Sequence, residues 1–167
     1  MIELETNRLR FRQWHPDDAT LLYRYFKDPQ FTKYIGGIQN PESVWRLIAS
    51  YVGHYQFKGY SYIPVETKQD QLIGAVGLWD SEPWPELELG YWFLPEFQGQ
   101  GYASEATKAV RDYAWTKLKR STCISLIDHQ NIASIRLAEK LGAIYEKDIE
   151  LLEFGNHGVW RYTPVRD

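Results

Sequence analysis

Gln98-Gly99-Gln100-Gly101-Tyr102-Ala103 lies directly between a stretch with strand character and a stretch with helix character. Its two glycines let the backbone take positive φ and approach a ligand closely. The helix that follows leaves its first N–H groups without partners, and the positive end of its dipole adds to them, so the segment reads as a candidate cradle for phosphate oxygens. A glycine pair before a helix is also a common turn. A dinucleotide site would set G-x-G-x-x-G in a parallel βαβ unit, and a P-loop would follow its glycines with Gly-Lys-Ser or Gly-Lys-Thr. Neither pattern is present.

Working outward from the cradle, Tyr60 to Glu66, Leu72 to Trp79 and Leu87 to Phe93 are β-rich segments. The polar turn around Lys68 to Asp70 and the loop Asp80 to Pro85 separate them, which predicts an antiparallel meander. Further upstream, Leu9 and Phe11 alternate with Arg8, Arg10 and Arg12, the period of a strand with a buried face and a wet face carrying the arginines. Pro16, Asp17 and Asp18 open a helix running to about Phe26, and Asn40 with Pro41 open a longer one to Tyr55 or Phe57, broken at Gly59. Downstream, a helix from Tyr102 to Leu118 carries Ala106, Val110, Tyr113 and Ala114 on one face, and Cys123 to Leu126 is a short strand. Asn131 caps a helix from Ile132 to Leu141, with Gly142 where a left-handed residue is wanted. Ile149 to Phe154 and Val159 to Thr163 flank Gly155-Asn156-His157-Gly158 and read as a closing hairpin. The order is that of an α+β fold with a mixed, mostly antiparallel sheet, in one domain over residues 1–167.

Composition narrows the function classes. With 167 residues, 44% of them hydrophobic, the chain fits one core of ordinary size. Net charge is −3 and the Lys and Arg residues are scattered, so a nucleic-acid footprint is not expected. There is no signal-peptide core and no run of apolar residues of membrane length, so a cytoplasmic location is expected. Cys123 stands alone, which excludes an internal disulfide and a thiolate metal cluster. His15, His54, His129 and His157 are far apart in sequence, and no metal site is expected. Of the many aromatic residues, Tyr34, Trp45, Trp79 and Trp84 are either pocket wall or packing.

Gln98, Gly101 and Ala103 match the Q/R-x-x-G-x-G/A motif of the GNAT acetyltransferase superfamily. The preceding strand Glu88-Leu89-Gly90-Tyr91-Trp92-Phe93-Leu94-Pro95, the helix start Gly101-Tyr102-Ala103-Ser104-Glu105-Ala106 and the segment from Asn131 to Ala143 resemble the same family. Thr6-Asn7-Arg8-Leu9-Arg10-Phe11-Arg12 is similar to the branch containing the ribosomal-protein N-terminal acetyltransferases. The resemblance implies a sheet in which one strand pair splays apart, helices on both faces, and a pantetheine arm in the opened wedge. It implies acetyl-coenzyme A as co-substrate, pantetheine pairing with the backbone of Phe93 and Leu94, pyrophosphate held by Gln98, Gly99, Gln100, Gly101, Tyr102, Ala103 and Ser104, and Asn131 with Ser134 at the thioester end. It further implies a monomer or homodimer.

Acetyl transfer needs a neutral amine, a stabilised carbonyl oxygen and an accommodated thiolate. Glu88 is the candidate base, because partial burial raises a carboxylate pKa; it is equally readable as a solvent-facing strand glutamate, and Glu86 would share its face. A backbone N–H near Phe93 or Leu94 would serve the oxyanion. Many family members carry a Tyr seven residues after the motif Asn, where this chain has Ala138, so Ser134 is the replacement acid, with Tyr145 a weaker candidate. A water, or no acid at all, would also suffice. The expected reaction is acetyl transfer to a protein N-terminus or a small-molecule amine. The alternative is a noncatalytic acyl-coenzyme A-binding module, and a nucleotide-binding or protein-interaction domain stands further off.

Overall fold

The structure, a computed structural model, describes residues 4–164. Seven strands form one sheet: β1 (Leu9–Phe11), β2 (Tyr62–Thr67), β3 (Leu72–Trp79), β4 (Glu88–Phe93), β5 (Cys123–Ile127), β6 (Ile144–Glu150) and β7 (Asn156–Tyr162). Their order is β1-β2-β3-β4-β5-β7-β6. Every neighbouring pair is antiparallel except β4 and β5, which run parallel and are joined by a helical crossover.

Helices cover both faces. On one side α1 (Pro16–Phe26) and α3 (Pro41–Lys58) bury Leu22, Phe26, Val44 and Ile48 against Ala75, Trp92 and Leu94 of the central strands. On the other, α4 (Tyr102–Thr116) and α5 (Ile132–Lys140) bury Ala106, Val110, Ala114 and Ala138 against Val76, Leu89 and Phe93. Alternate residues of β4 therefore serve opposite cores, as the two-residue strand period requires. The mixed sheet, the helices on both faces and the antiparallel meander are those expected from the sequence.

The helix ends follow their residues. His15 caps α1, with Asp18 answering from the third position; the Asn40 side chain accepts from the Ser43 amide at 2.8 Å to start α3, and Gly59 ends it at φ 79°. A short helix, α2 (Pro29–Thr32), begins at Asp28, whose carboxylate accepts from the Gln30 amide at 2.8 Å; the sequence reading passed over it.

Two expectations need correction. The first strand of the closing hairpin is Ile144–Glu150, not Ile149 to Phe154. It is an edge strand exposed on both faces, so its sequence carries no burial period to read. The apolar residues that suggested a strand after Ile149 instead form a turn, with Leu151 buried and Leu152–Phe154 in one 3₁₀ segment. Arg12 is not on a wet face: its guanidinium bridges Asp18 at 2.7 and 2.8 Å and Glu66 at 2.5 Å, tying β1 to α1 and β2.

The central strands leave no room at Gly77, which is paired with Tyr62 across the β2–β3 ladder. A β-carbon there would fall inside contact distance of the Ser61 carbonyl and the Tyr62 backbone. Gly53, in the middle of α3, has nothing within 4 Å of such a carbon. Gly77→Ala should therefore lose about 2 kcal/mol or more in urea denaturation, as overpacked sites do. Gly53→Ala should gain up to about 1 kcal/mol from helix propensity alone.

Candidate active site

β4 and β5 pair at one register position, Glu88 with Ile124, and there the Ile124 amide donates to the Leu87 carbonyl at 2.9 Å. Beyond this point the strands part. Two side chains take over the next ladder positions. Ser125 Oγ donates to the Leu89 carbonyl at 2.6 Å, and the Leu126 amide donates to the Glu88 carboxylate. Further along the fork, the Leu94 amide is committed to the Ile73 carbonyl at 2.8 Å on the β3 side. The antiparallel alternation then turns the Tyr91 and Phe93 amides toward the opened side. An edge of this kind has N–H and C=O groups free for an amide-like ligand.

Both backbone groups of Leu94 are used, its N–H by Ile73 and its carbonyl by the Phe97 amide at 3.0 Å. Of the Tyr91, Phe93 and Leu94 amides, those of Tyr91 and Phe93 are the ones turned to the opened side. The Phe93 carbonyl itself accepts the Gln98 side-chain amide at 2.8 Å, which ties the cradle to the end of β4.

The cradle is uncapped. α1, α2, α3 and α5 each begin on a side-chain cap, whereas α4 begins on Gly101, which has none, at φ 81°. The first helical amide with a backbone partner is that of Glu105, on the Gly101 carbonyl at 3.1 Å, so the Tyr102, Ala103 and Ser104 amides point out of the helix end. Gly99 is also left-handed, at φ 72°, with open space where a side chain would be. Gln98 is spent on structure, its own amide going to the Pro95 carbonyl at 3.2 Å, so the free amides start at Gly99. Arg8 braces the loop from β1's side. It donates to the Gln100 carbonyl at 2.9 Å and to Glu105 at 2.6 Å, with its guanidinium 4.5 Å from the Tyr102 ring centre. Geometry of this kind, open on its amide side and rich in positive dipole, fits a pyrophosphate.

A cavity of about 580 Å³ opens beside the fork. Glu88, Tyr91, Asn131 and Ser134 all line it. Glu88 is 9% exposed, and burial raises its carboxyl from the ordinary 4.5 to about 7 against the opposing hydrogen bonds from the Trp84 indole N–H, at 2.8 Å, and the Leu126 amide. Glu86, by contrast, lies before the strand begins, exposed, and pairs with Arg161 at 2.8 and 3.0 Å. It does not share the site. Asn131 caps α5 by accepting from the Ser134 amide at 3.3 Å, and Ser134 Oγ lies 3.0 Å from the Tyr91 hydroxyl. Ala138, at the position of the family's usual Tyr, is buried in the core below. Tyr145 is directed to Asp148 on the edge strand, 3.0 Å away, and is not among the residues lining the cavity.

Of the aromatic candidates, Tyr34, Trp79 and Trp84 line the cavity, whereas Trp45 is 60% exposed and does not. Sequence reasoning missed Tyr91, Tyr51, Tyr62, Ser125 and Phe154. Tyr91 carried a signal, since it alternates with Leu89 and Phe93 on one strand face. The others gave none, because their roles depend on loops and on partners remote in sequence.

Comparison with known proteins agrees with this geometry. Residues 8–144 match the family model described as the acetyltransferase (GNAT) domain. An uncharacterized protein of Bacillus subtilis (strain 168), YkkB, is 34% identical over 155 residues, 88% of each chain. The ribosomal-protein-serine acetyltransferase of Escherichia coli (strain K12) is 31% identical over 142 residues, 83% of this chain and 74% of its own. Among solved structures, an acetyltransferase from Agrobacterium tumefaciens str. C58 superposes with a TM-score of 0.89 at 26% identity, covering 98% of this chain and 95% of its own. Matched by that family model over most of its length, the chain belongs to the GNAT acetyltransferases.

Proposed function

We propose that the protein transfers the acetyl group of acetyl-coenzyme A to a primary amine by direct attack within a ternary complex. The observation that carries this reading is the buried carboxylate at the point where β4 leaves β5. The Tyr91 and Phe93 amides on the open side of β4 suit a pantetheine arm, and the uncapped start of α4 suits a pyrophosphate. In this reading the acceptor enters on the cavity side and the co-substrate on the fork side, meeting beside Glu88.

Glu88 takes a proton from the incoming ammonium, for which a carboxyl near 7 is well matched at neutral pH. The freed nitrogen forms a bond to the thioester carbonyl carbon, and the Phe93 N–H steadies the charge that builds on the carbonyl oxygen. The carbon–sulfur bond then breaks. Ser134, hydrogen-bonded to Tyr91, hands a proton to the departing sulfur, and the hydroxyl pair replaces the absent Tyr at Ala138. Fixed positioning of the two reactants supplies much of the rate.

Calorimetric titration tests the co-substrate. Acetyl-coenzyme A should bind the wild type, and Gly101→Glu, which sets a carboxylate and a strained side chain in the cradle, should weaken that binding at least tenfold. No binding by the wild type would overturn the proposal.

Glu88→Gln should lower kcat/KM by about 10²- to 10⁴-fold with acetyl-coenzyme A affinity retained, and the wild-type rate should fall on the acid side with a midpoint near pH 7. The same variant has a stability signature. The unfolded chain releases this proton near pH 4.5 and the folded chain near 7, so wild-type stability falls as pH rises between those values, by on the order of 3 kcal/mol, and is flat above them. Denaturation of Glu88→Gln at pH 8 should therefore show a more stable protein than the wild type, and at pH 4 a similar one.

A further inference from the structure

The cavity wall beyond Glu88 is made of rings contributed by separate parts of the chain. Tyr51 from α3 stacks on Tyr62 from β2 with ring centres 5.0 Å apart, and Trp79 at the end of β3 meets Tyr51 edge-on at 5.9 Å. Gly90 makes this possible, because any β-carbon there would collide with the Tyr62 hydroxyl. At the other side Trp84, from the β3–β4 loop, and Phe154, from the β6–β7 turn, stand 6.1 Å apart and join those two loops beside Glu88.

The charges in this wall are all of one sign or neutral. Glu88, Asp128 and Glu153 line the cavity, with His157, and no Lys or Arg does so among the described residues. Lys33, outside the lining, is held over the Tyr34 ring with its Nζ 4.9 Å from the centre. Of the three carboxylates only Glu88 is buried. Asp128 is half-buried with one oxygen taken by the Gln130 amide at 2.7 Å, and Glu153 is exposed. An ammonium is therefore welcome at one deep point, where a carboxylate and ring faces attract it. A carboxylate or phosphate next to that ammonium would be buried with no cation to answer it. A second ammonium further along would meet rings without a second buried carboxylate.

Resting on the acetyl-transfer reading above, the geometry points to a small primary amine on an aromatic body, with no anionic group beside the nitrogen, as the acceptor. The bridge between Trp84 and Phe154 favours a small molecule over a peptide, whose chain would have to displace it. 2-Phenylethylamine and phenylalanine carry the same ring and amine and differ by one carboxylate, so the pair isolates the charge argument.

The test compares 2-phenylethylamine, phenylalanine, spermidine and a short peptide with a free N-terminus. Release of coenzyme A is followed for turnover, and quenching of tryptophan fluorescence for binding without co-substrate. 2-Phenylethylamine should exceed phenylalanine at least a hundredfold in kcat/KM, and spermidine and the peptide at least tenfold. Phe154→Ala, whose ring is 44% exposed, should raise KM for 2-phenylethylamine at least fivefold with acetyl-coenzyme A affinity unchanged. Equal use of phenylalanine, preference for spermidine or the peptide, or no binding of 2-phenylethylamine by either readout would overturn the assignment. Selective binding of 2-phenylethylamine with no coenzyme A released would uphold this acceptor class and overturn acetyl transfer instead.

Discussion

The single registered pair between Glu88 and Ile124 is the constraint on which the rest of this molecule depends. β4 is held along its length by β3, and β5 along its length by β7, so neither strand is free to close the gap between them. An internal gap in a sheet leaves polar backbone without partners, and such groups are costly to bury. At the apex the cost is met locally. Ser125 Oγ satisfies the Leu89 carbonyl, and the Glu88 carboxylate satisfies the Leu126 amide, each side chain standing where a ladder bond would have been. Further out, the Tyr91 and Phe93 amides face the open gap.

This arrangement explains why a carboxylate sits in so apolar a place. Glu88 faces a cavity walled by rings and is desolvated accordingly, but it receives two hydrogen bonds that a neutral strand residue could not use as well, from the Trp84 indole and the Leu126 amide. They limit the rise of its pKa and do not cancel it. The result is a group whose proton is loosely held near neutrality, at the expense of fold stability once it ionises. Sites that perform chemistry often carry such a penalty.

How much of this was legible in the sequence follows from where each signal resides. The open loop before α4 was readable because its geometry is a local backbone property: glycines at 99 and 101, no cap, and a helix immediately after. The helix capped by Asn131 was readable for the same reason. β6 was not, since an edge strand wet on both faces has no apolar alternation. Glu88 could be proposed from its strand, with burial as the cause of a raised pKa, but the Trp84 hydrogen bond that opposes the rise could not, because Trp84 reaches it from an irregular loop. The Tyr91 and Ser134 hydroxyl pair joins residues 43 positions apart and depends on the packing of α5 against the sheet. The commitment of the Leu94 amide to Ile73 is a matter of ladder phase, which residue identity does not encode.

The opening motif Thr6-Asn7-Arg8-Leu9-Arg10-Phe11-Arg12 gains a physical meaning from the same geometry. Leu9 and Phe11 enter the core, as a strand period demands, while the polar residues that flank them act as clamps. Thr6 and Arg8 both bind Glu105, in the first turn of α4, and Arg8 also holds the Gln100 carbonyl inside the cradle. Glu105 in turn keeps a negative charge near the positive end of α4, where it favours the helix. Arg12, four residues on, performs the matching task for α1 through Asp18. The residues flanking the three-residue strand β1 thus fix the starts of α4 and α1, helices on opposite faces of the sheet. Two segments that lie some ninety residues apart in the chain are thereby joined in one mechanical unit.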